Sequence, residues 1–310
     1  MGRCESRFRE SRCTMGTMST PTSPNGTANT PTASELRDLC VELVQDAAEF
    51  VAKQRDFLTR HGSVEMVAQT KTSEVDPVTA VDKGCEERVV GKLSQLRPGD
   101  GVIGEEGASK PSETGVEWVI DPIDGTVNFI YGLPAYAVSV GVAVHGELVA
   151  GAVADVARGI TYFAARGHGA FVLSDATAHP LRTSRASRHA TALVETGFSY
   201  DSGWRGQQAQ ILTALLPQVR DIRRMGSAAL DLCRVAEGSA DAYYEHGTHP
   251  WDYAAGAVIA AEAGAVVHHP GLRDRGGDGA LMYACAPGLA ESFPRLLEEA
   301  GAMRVLGAGA

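Results

Sequence analysis

The segment WVIDPIDGT, residues 118–126, limits what this chain can fold into more than any other stretch. Its apolar first part predicts a short β-strand. Pro122 is expected to end the strand, and Gly125 is expected to permit a sharp turn. The segment therefore predicts that Asp121 and Asp124 lie together on one tight turn at a strand end.

Two carboxylates this close repel each other unless a cation lies between them. A site that offers only oxygen ligands suits Mg²⁺ better than zinc, which prefers nitrogen and sulfur. Asp-Pro-x-Asp-Gly is also a common turn composition, so the segment alone is equally compatible with a solvated acidic loop.

Further acidic residues decide between these two interpretations. Glu105 and Glu106 follow a short apolar run and are flanked by glycines, which would let the backbone bend sharply. Asp252 opens a predicted helix and is followed by small residues that permit close approach of another backbone. Taken singly, the glutamates are compatible with an exposed turn and Asp252 with a plain helix cap.

Composition narrows the class of protein. The 310 residues carry 28 basic and 38 acidic side chains, for a formal net charge of −10, which argues against nonspecific binding to nucleic acid or anionic membranes. The six cysteines form no C-x-x-C pair, and three of them occupy apolar positions of predicted helices, as expected of buried reduced thiols in a cytoplasmic protein. No apolar run reaches transmembrane length, and no apolar stretch of a secretory signal follows the N-terminal arginines.

The pattern of elements predicts a tail followed by two domains. Residues 1–31 are rich in Ser, Thr and Pro and are expected to be disordered. Residues 32–180 combine amphipathic helices with β-prone runs separated by very short breaks, which predicts antiparallel hairpins in an α+β domain that holds the metal ligands. Residues 181–310 alternate strands and helices, which predicts an α/β second half that contributes Asp252.

Taken together, these segments resemble the inositol monophosphatase family, within the larger group of Mg²⁺-dependent, lithium-sensitive phosphatases, and are most similar to its bacterial inositol-1-monophosphatases. The resemblance covers roughly residues 35–300, and several blocks in one order are far more specific than any single motif. It implies a layered αβαβα sandwich of the inositol monophosphatase and fructose-1,6-bisphosphatase type. The matching blocks are Gly104–Glu106, residues 118–129, residues 251–256, Lys71, residues 76–79, Asp82, residues 226–229 and residues 241–245.

The resemblance also implies a set of metal ligands. A first Mg²⁺ would be held by Glu105, Asp121 and the backbone carbonyl of Ile123. A second would be held by Asp121, Asp124 and Asp252, so that Asp121 bridges the two ions. A weaker third ion would lie near Glu105 and Glu106.

Catalytic and substrate-binding roles are implied in the same way. Asp82 would accept a hydrogen bond from the Thr126 hydroxyl and so help to position the attacking water, together with the metal ligands Glu105 and Asp121. The amides of Gly125 and Thr126 would contact phosphate oxygens. The alcohol portion of the substrate would be lined by Asp124, Ser227, Ala228, Glu245 and Asp252.

The implied activity is Mg²⁺-dependent hydrolysis of myo-inositol 1-phosphate, or a related sugar-alcohol phosphate, by metal-activated water in a cytoplasmic homodimer. Two or three metal ions would cancel phosphate charge and clamp the attacking and leaving oxygens. Histidinol phosphate, fructose 1,6-bisphosphate and 3′-phosphoadenosine 5′-phosphate are alternative substrates, because related phosphatases share the metal motif. A regulatory binding protein is the alternative from a different functional class.

Overall fold

The computed structural model describes residues 31–61, 68–70 and 77–307. The predicted disordered tail, except for its last residue, and the Lys71 and Asp76 positions of the family resemblance lie outside the described residues. The helices are α1 Ala33–His61, α2 Ala80–Leu96, α3 Thr126–Tyr131, α4 Ser202–Leu215, α5 Ala228–Glu237, α6 Pro250–Glu262 and α7 Ser292–Glu299. None of these described helices is both long enough and apolar enough to cross a membrane.

The strands divide between a short hairpin and two larger sheets. The hairpin pairs β1 (Ala68–Thr70) with β2 (Pro77–Thr79). The eight-stranded sheet contains β3 Gly101–Gly104, β4 Ser109–Lys110, β5 Val116–Asp124, β6 Ala137–Val144, β7 Glu147–Asp155, β8 Ile160–Ala165, β9 Ala170–Ser174 and β10 Thr177–Pro180. The five-stranded sheet contains β11 Leu193–Thr196, β12 Asp221–Arg223, β13 Ala242–His246, β14 Val266–His268 and β15 Leu281–Cys285.

The larger sheet has the order β10-β9-β8-β7-β6-β5-β3-β4. From β5 to β10 each strand runs antiparallel to the next, as the short breaks in the sequence predict, whereas β3 pairs with β5 in parallel. The smaller sheet has the order β12-β11-β13-β15-β14, with β11 parallel to both of its neighbours. The eight-stranded sheet ends at Pro180 and the five-stranded sheet begins at Leu193, close to the position where the sequence changes to alternating strands and helices. The division into two domains stays a prediction.

Three buried apolar clusters hold the layers together. The first packs α1 and α2 against one face of the eight-stranded sheet, through residues such as Leu43 and Trp118. The second places α5 and α6 between the two sheets, and the third packs α4 and α7 on the outer face of the five-stranded sheet. These layers run helix, sheet, helix, sheet, helix, which confirms the predicted αβαβα sandwich.

Local differences from the predicted elements have clear causes. The sequence pattern predicts a helix over residues 207–216, but α4 begins at Ser202, because the Asp201 side chain accepts a 2.8 Å bond from Trp204 N and caps an earlier turn. The pattern also predicts one final helix over residues 287–299, which is divided into a 3₁₀ turn, Pro287–Leu289, and α7. The four described cysteines, in α1, α2, α5 and β15, are free and buried.

Candidate active site

The acidic segment opens with a β-bulge, not with the predicted turn. Strand β5 runs through Asp124, so the prediction that the strand stops at Pro122 is wrong. Asp121 pairs with Ser139 and Asp124 pairs with Ala137, so β5 has one more residue than its partner between these pairs. A bulge tolerates Pro122, which has no amide proton. Side chains three apart face opposite sides of a regular strand, and the extra residue lets both carboxylates face one cavity.

The sharp turn follows one residue later. Gly125 has a φ of 93°, and an added Cβ would lie 2.8 Å from the carbonyl oxygen of Ala135, so glycine is required there. Helix α3 begins at Thr126, whose hydroxyl donates a 3.0 Å bond to the Ile123 carbonyl. A hydroxyl has one proton, so this bond replaces the predicted donation from Thr126 to Asp82 in this structure. Asp82 itself is buried in the first turn of α2.

Glu86 on α2 holds the loop that carries Glu105 and Glu106. The Glu86 side chain is 5% exposed, and its two carboxylate oxygens accept bonds of 2.9 Å from the amides of Glu106 and Ala108. Gly104 lets it approach, because an added Cβ there would lie 2.3 Å from Glu86 Oε2. Sequence reasoning missed Glu86. The available signal was an acidic residue one helical turn after Asp82, on the same face of the predicted helix.

Asp252 lies in the first turn of α6, as predicted. Pro250 occupies an early helical position, where a missing amide proton costs nothing and the fixed φ suits the helix. The Asp252 carboxylate accepts a 2.7 Å bond from the amide of His249. The residue therefore serves as part of a helix cap, and it also lines the cavity described below.

Ser227 joins the acidic segment to helix α5. Its hydroxyl donates a 2.6 Å bond to Asp124 Oδ2 and accepts a longer bond from Leu230 N as the helix cap. The Ala229 amide donates to the same Asp124 oxygen at 2.7 Å. The N-terminus of α5 thus fixes one oxygen of Asp124 with two donors.

A single cavity of about 130 Å³ brings together most of the predicted site. The predicted residues that line it are Glu105, Asp121, Ile123, Asp124, Gly125, Thr126, Ala228, Glu245 and Asp252. Ser227 lies behind this wall in contact with Asp124. Glu106 instead lines a neighbouring cavity of about 240 Å³ with Glu86, and Asp82 lines neither.

The electrostatics of the cavity are those of a crowded acidic cluster. Burial, followed by the charges of Glu105 and Asp124, raises the pKa of Asp121 well above its usual value. Burial and the charge of Asp124 likewise raise the pKa of Asp252. Burial raises the pKa of Asp124 to about 6, although the donors Ser227 and Ala229 oppose the shift. Such a cluster gains stability from a cation.

The donor set fits a hard divalent cation. The candidate ligands are carboxylate and carbonyl oxygens, the type that Mg²⁺ prefers. Asp121 Oδ1 is buried and has no hydrogen-bond partner among the described residues. As they stand, no three His, Cys, Asp or Glu side chains within the described ranges are arranged to hold one ion. One oxygen each of Asp124 and Asp252 is engaged by backbone or hydroxyl donors, so ligation requires these carboxylates to use their other oxygen or to turn.

Glu245 and Arg224 also line the acidic cavity. Tyr243 donates a 2.9 Å bond to Glu245 Oε2, and burial raises the pKa of Glu245 to about 7 while Tyr243 and Arg224 oppose the shift. Arg224 forms a basic cluster with Arg220 and Arg223, for which the sequence favours a solvated face or a subunit contact and leaves a phosphate-steering patch as the alternative. The structure places it in the cavity wall, where a cation can attract an anionic substrate.

Comparison with known proteins agrees with this geometry. Residues 32–301 match the model of the inositol monophosphatase family. Inositol-1-monophosphatase SuhB of Mycobacterium tuberculosis is 48% identical over 273 residues, which cover 86% of this chain and 94% of that protein. Nus factor SuhB of Pasteurella multocida is 37% identical over 232 residues, which cover 74% and 83% of the two chains.

Solved structures lead to the same assignment. The structure of Mycobacterium tuberculosis SuhB superposes with a TM-score of 0.76 at 45% identity, and the match covers 88% of this chain and 99% of that one. Both the predicted family and the predicted fold are thereby confirmed. The chain belongs to the inositol monophosphatase family, a family of phosphoric monoester hydrolases.

Proposed function

We propose that this protein hydrolyses myo-inositol 1-phosphate, or a related sugar-alcohol phosphate, with Mg²⁺ as its cofactor. The observation that carries the proposal is the gathering of Glu105, Asp121, Asp124 and Asp252 in one cavity, from three separate parts of the chain. The similarity to the mycobacterial inositol-1-monophosphatases supports the choice of substrate. Lithium sensitivity, a homodimer and a cytoplasmic location are part of the proposal through the family resemblance.

The chain's own residues account for binding and orientation. Glu105, Asp121, Asp124, Asp252 and the Ile123 carbonyl would hold the ions, with Glu106 near a weaker one. When bound, Mg²⁺ would neutralise phosphate charge and activate water. The Gly125 and Thr126 amides would contact phosphate oxygens. The Thr126 hydroxyl donates to the Ile123 carbonyl in this structure, so it would have to turn to Asp82 before the two could orient the attacking water.

The alcohol portion would be held by acceptors rather than by donors. Glu245 and Asp124 would accept hydrogen bonds from substrate hydroxyls, and the backbone at Ala228 would close the other side. Tyr243 already donates to one Glu245 oxygen, so the second oxygen is the one that would face a polyol hydroxyl. Ser227 would act through Asp124, by fixing its carboxylate.

Phosphate release from inositol 1-phosphate, with and without Mg²⁺, tests the proposal. We expect Mg²⁺-dependent release by the parent protein, a loss of at least a hundredfold in Asp121→Asn, and normal release by the control Asp56→Asn on the exposed surface of α1. Retention of activity in Asp121→Asn would contradict the metal role. Faster turnover of histidinol phosphate, fructose 1,6-bisphosphate or 3′-phosphoadenosine 5′-phosphate would reassign the substrate.

A regulatory role is the second candidate, because relatives 34–37% identical are named Nus factor SuhB. Binding to a protein partner would then survive loss of catalysis. Pull-down with the Asp121→Asn variant, compared with the parent protein, tests this candidate: partner capture by both proteins supports it, and capture by neither opposes it.

A further inference from the structure

The candidate active site opens into a larger aromatic cavity, here called the annex. The annex has a volume of about 510 Å³, and its aromatic lining residues are Phe198, Tyr200, Trp204, His249 and Trp251. Glu105, Phe198, Tyr200, Glu245 and Asp252 line both the annex and the smaller acidic cavity. A phosphate ester that places its phosphoryl group at the acidic cluster therefore has to direct its alcohol portion along these shared walls.

The size of the annex exceeds what a small polyol needs. Pockets of about 300–1,000 Å³ hold drug-sized ligands, and the annex falls within that range. The acidic cavity, at about 130 Å³, has room for little beyond a phosphoryl group and its immediate neighbours. Beyond the shared wall, the annex is lined by the rings of Trp204, His249 and Trp251, by three glycines, and by the polar residues Ser199, Asp201 and His246.

Glycines beside the aromatic side chains show that the walls are closely packed. Gly247 has a φ of 78°, and an added Cβ there would lie 2.7 Å from the Trp204 ring. An added Cβ at Gly276 would lie 2.5 Å from His249 Nε2. The ring of His249 is stacked on Trp251, with centroids 4.6 Å apart and planes 3° apart. These contacts hold the rings in place before any ligand arrives, which lowers the entropy cost of binding.

We propose that the annex binds a planar aromatic ring carried by the alcohol portion of a phosphate monoester. The inference rests on the proposed phosphatase function and adds a second class of alcohol to the sugar alcohols proposed above. Ring faces favour offset or edge-to-face contact with another ring, and the acidic end disfavours a second anionic group on the substrate. An ester with a ring two carbons from the phosphate oxygen is a simple probe of this substrate class.

Two alkyl phosphates with the same type of leaving group test the proposal. We expect kcat/KM for 2-phenylethyl phosphate to exceed that for ethyl phosphate by about tenfold, which is within the range of an aromatic contact added to apolar burial. Trp204→Leu should remove most of that ratio while leaving ethyl phosphate turnover unchanged, because Trp204 lines the annex and not the acidic cavity. Trp204→Phe, which keeps a ring, should retain part of the ratio. Phe57→Leu is the matched control, since Phe57 is an exposed aromatic on α1 outside both cavities.

A binding measurement keeps the test independent of turnover and of folding. Calorimetry with 2-phenylethylphosphonate and ethylphosphonate, which cannot be hydrolysed at the P–C bond, should reproduce the affinity ratio and its loss in Trp204→Leu. Equal kcat/KM for the two esters in an active parent protein would overturn the annex proposal and leave the phosphatase function intact. Hydrolysis of no ester, inositol 1-phosphate included, would instead count against the proposed function.

Discussion

The carboxylate of Glu86 should control metal affinity without touching the metal. It bonds the amides of Glu106 and Ala108 and so fixes the loop on which Glu105 stands. A hydrogen bond to a charged group contributes about 1.5–3 kcal/mol. Glu86→Gln keeps one acceptor oxygen but turns an NH₂ group towards the other amide, so it should cost roughly one such bond, about 1.5–3 kcal/mol. Glu86→Ala removes both hydrogen bonds and should cost at most about 3–6 kcal/mol.

Glu262 provides a matched control in the same molecule. Its carboxylate also accepts two backbone bonds, of 2.9 Å from Gly167 and 2.8 Å from Gly169, on a loop that lines neither the acidic cavity nor the annex. Glu262→Gln and Glu262→Ala therefore repeat the chemical change away from the site. Their cost should be smaller, because this pair of bonds is less buried and water can replace part of it.

Two measurements separate positioning from stability. Chemical denaturation gives the free energy of unfolding, which should fall in all four variants. Calorimetric titration with Mg²⁺ or Mn²⁺ should show at least tenfold weaker binding in the Glu86 variants and unchanged binding in the Glu262 variants. Glu86→Asp, which keeps the charge but shortens the reach, should recover only part of the affinity. Metal binding that is equal in Glu86→Gln and the parent protein would refute the reasoning.

Two further changes have effects that follow from contacts in the structure. Ser227→Ala should weaken metal binding at Asp124 and cost about 1–2 kcal/mol of stability through the lost helix cap. Ser227→Thr should preserve both the metal affinity and the stability. Calorimetry measures the metal affinity, and denaturation measures the stability. Asp231 is buried beside Glu195, and burial and the charge of Glu195 raise the pKa of Asp231. The native state therefore binds more protons than the unfolded state. The stability of the parent protein should decline as pH rises through that raised pKa. Asp231→Asn should decline less over the same pH range in parallel denaturation series, and equal slopes would contradict this assignment.

Local patterns were sufficient to predict the antiparallel strands, whereas the layers and the shared acidic cluster were predicted from the family resemblance of several ordered blocks. Short breaks between β-prone runs require antiparallel neighbours, and the described strands β6 to β9 pair in that way. The blocks around Asp121, Asp124 and Asp252 also carry enough sequence specificity to indicate one shared site. These predictions needed no knowledge of which side chain contacts which.

The features that sequence reasoning missed depend on register and on long-range contacts. Pro122 favours a strand end by its own propensity, but pairing with β6 extends β5 and places the proline in a bulge. Glu86 lies beside Glu87 and Arg88 in a charged run, which is typical of a solvated helix face. Only the packing of α2 against β5 and the loop after β3 shows that Glu86 is buried.

Asp124 shows why catalysis and folding are coupled in this molecule. It lies at the end of a strand in the eight-stranded sheet, yet its carboxylate is fixed by Ser227 and Ala229 at the start of α5, a helix packed between the two sheets. The carboxylate cannot reach its observed orientation until that helix has docked on the bulge. Because Asp252 also enters from a helix in this middle layer, the acidic cavity forms only when the eight-stranded sheet and both helices are assembled. Loosening the contact between α5 and the bulge should therefore weaken metal binding before it unfolds either sheet.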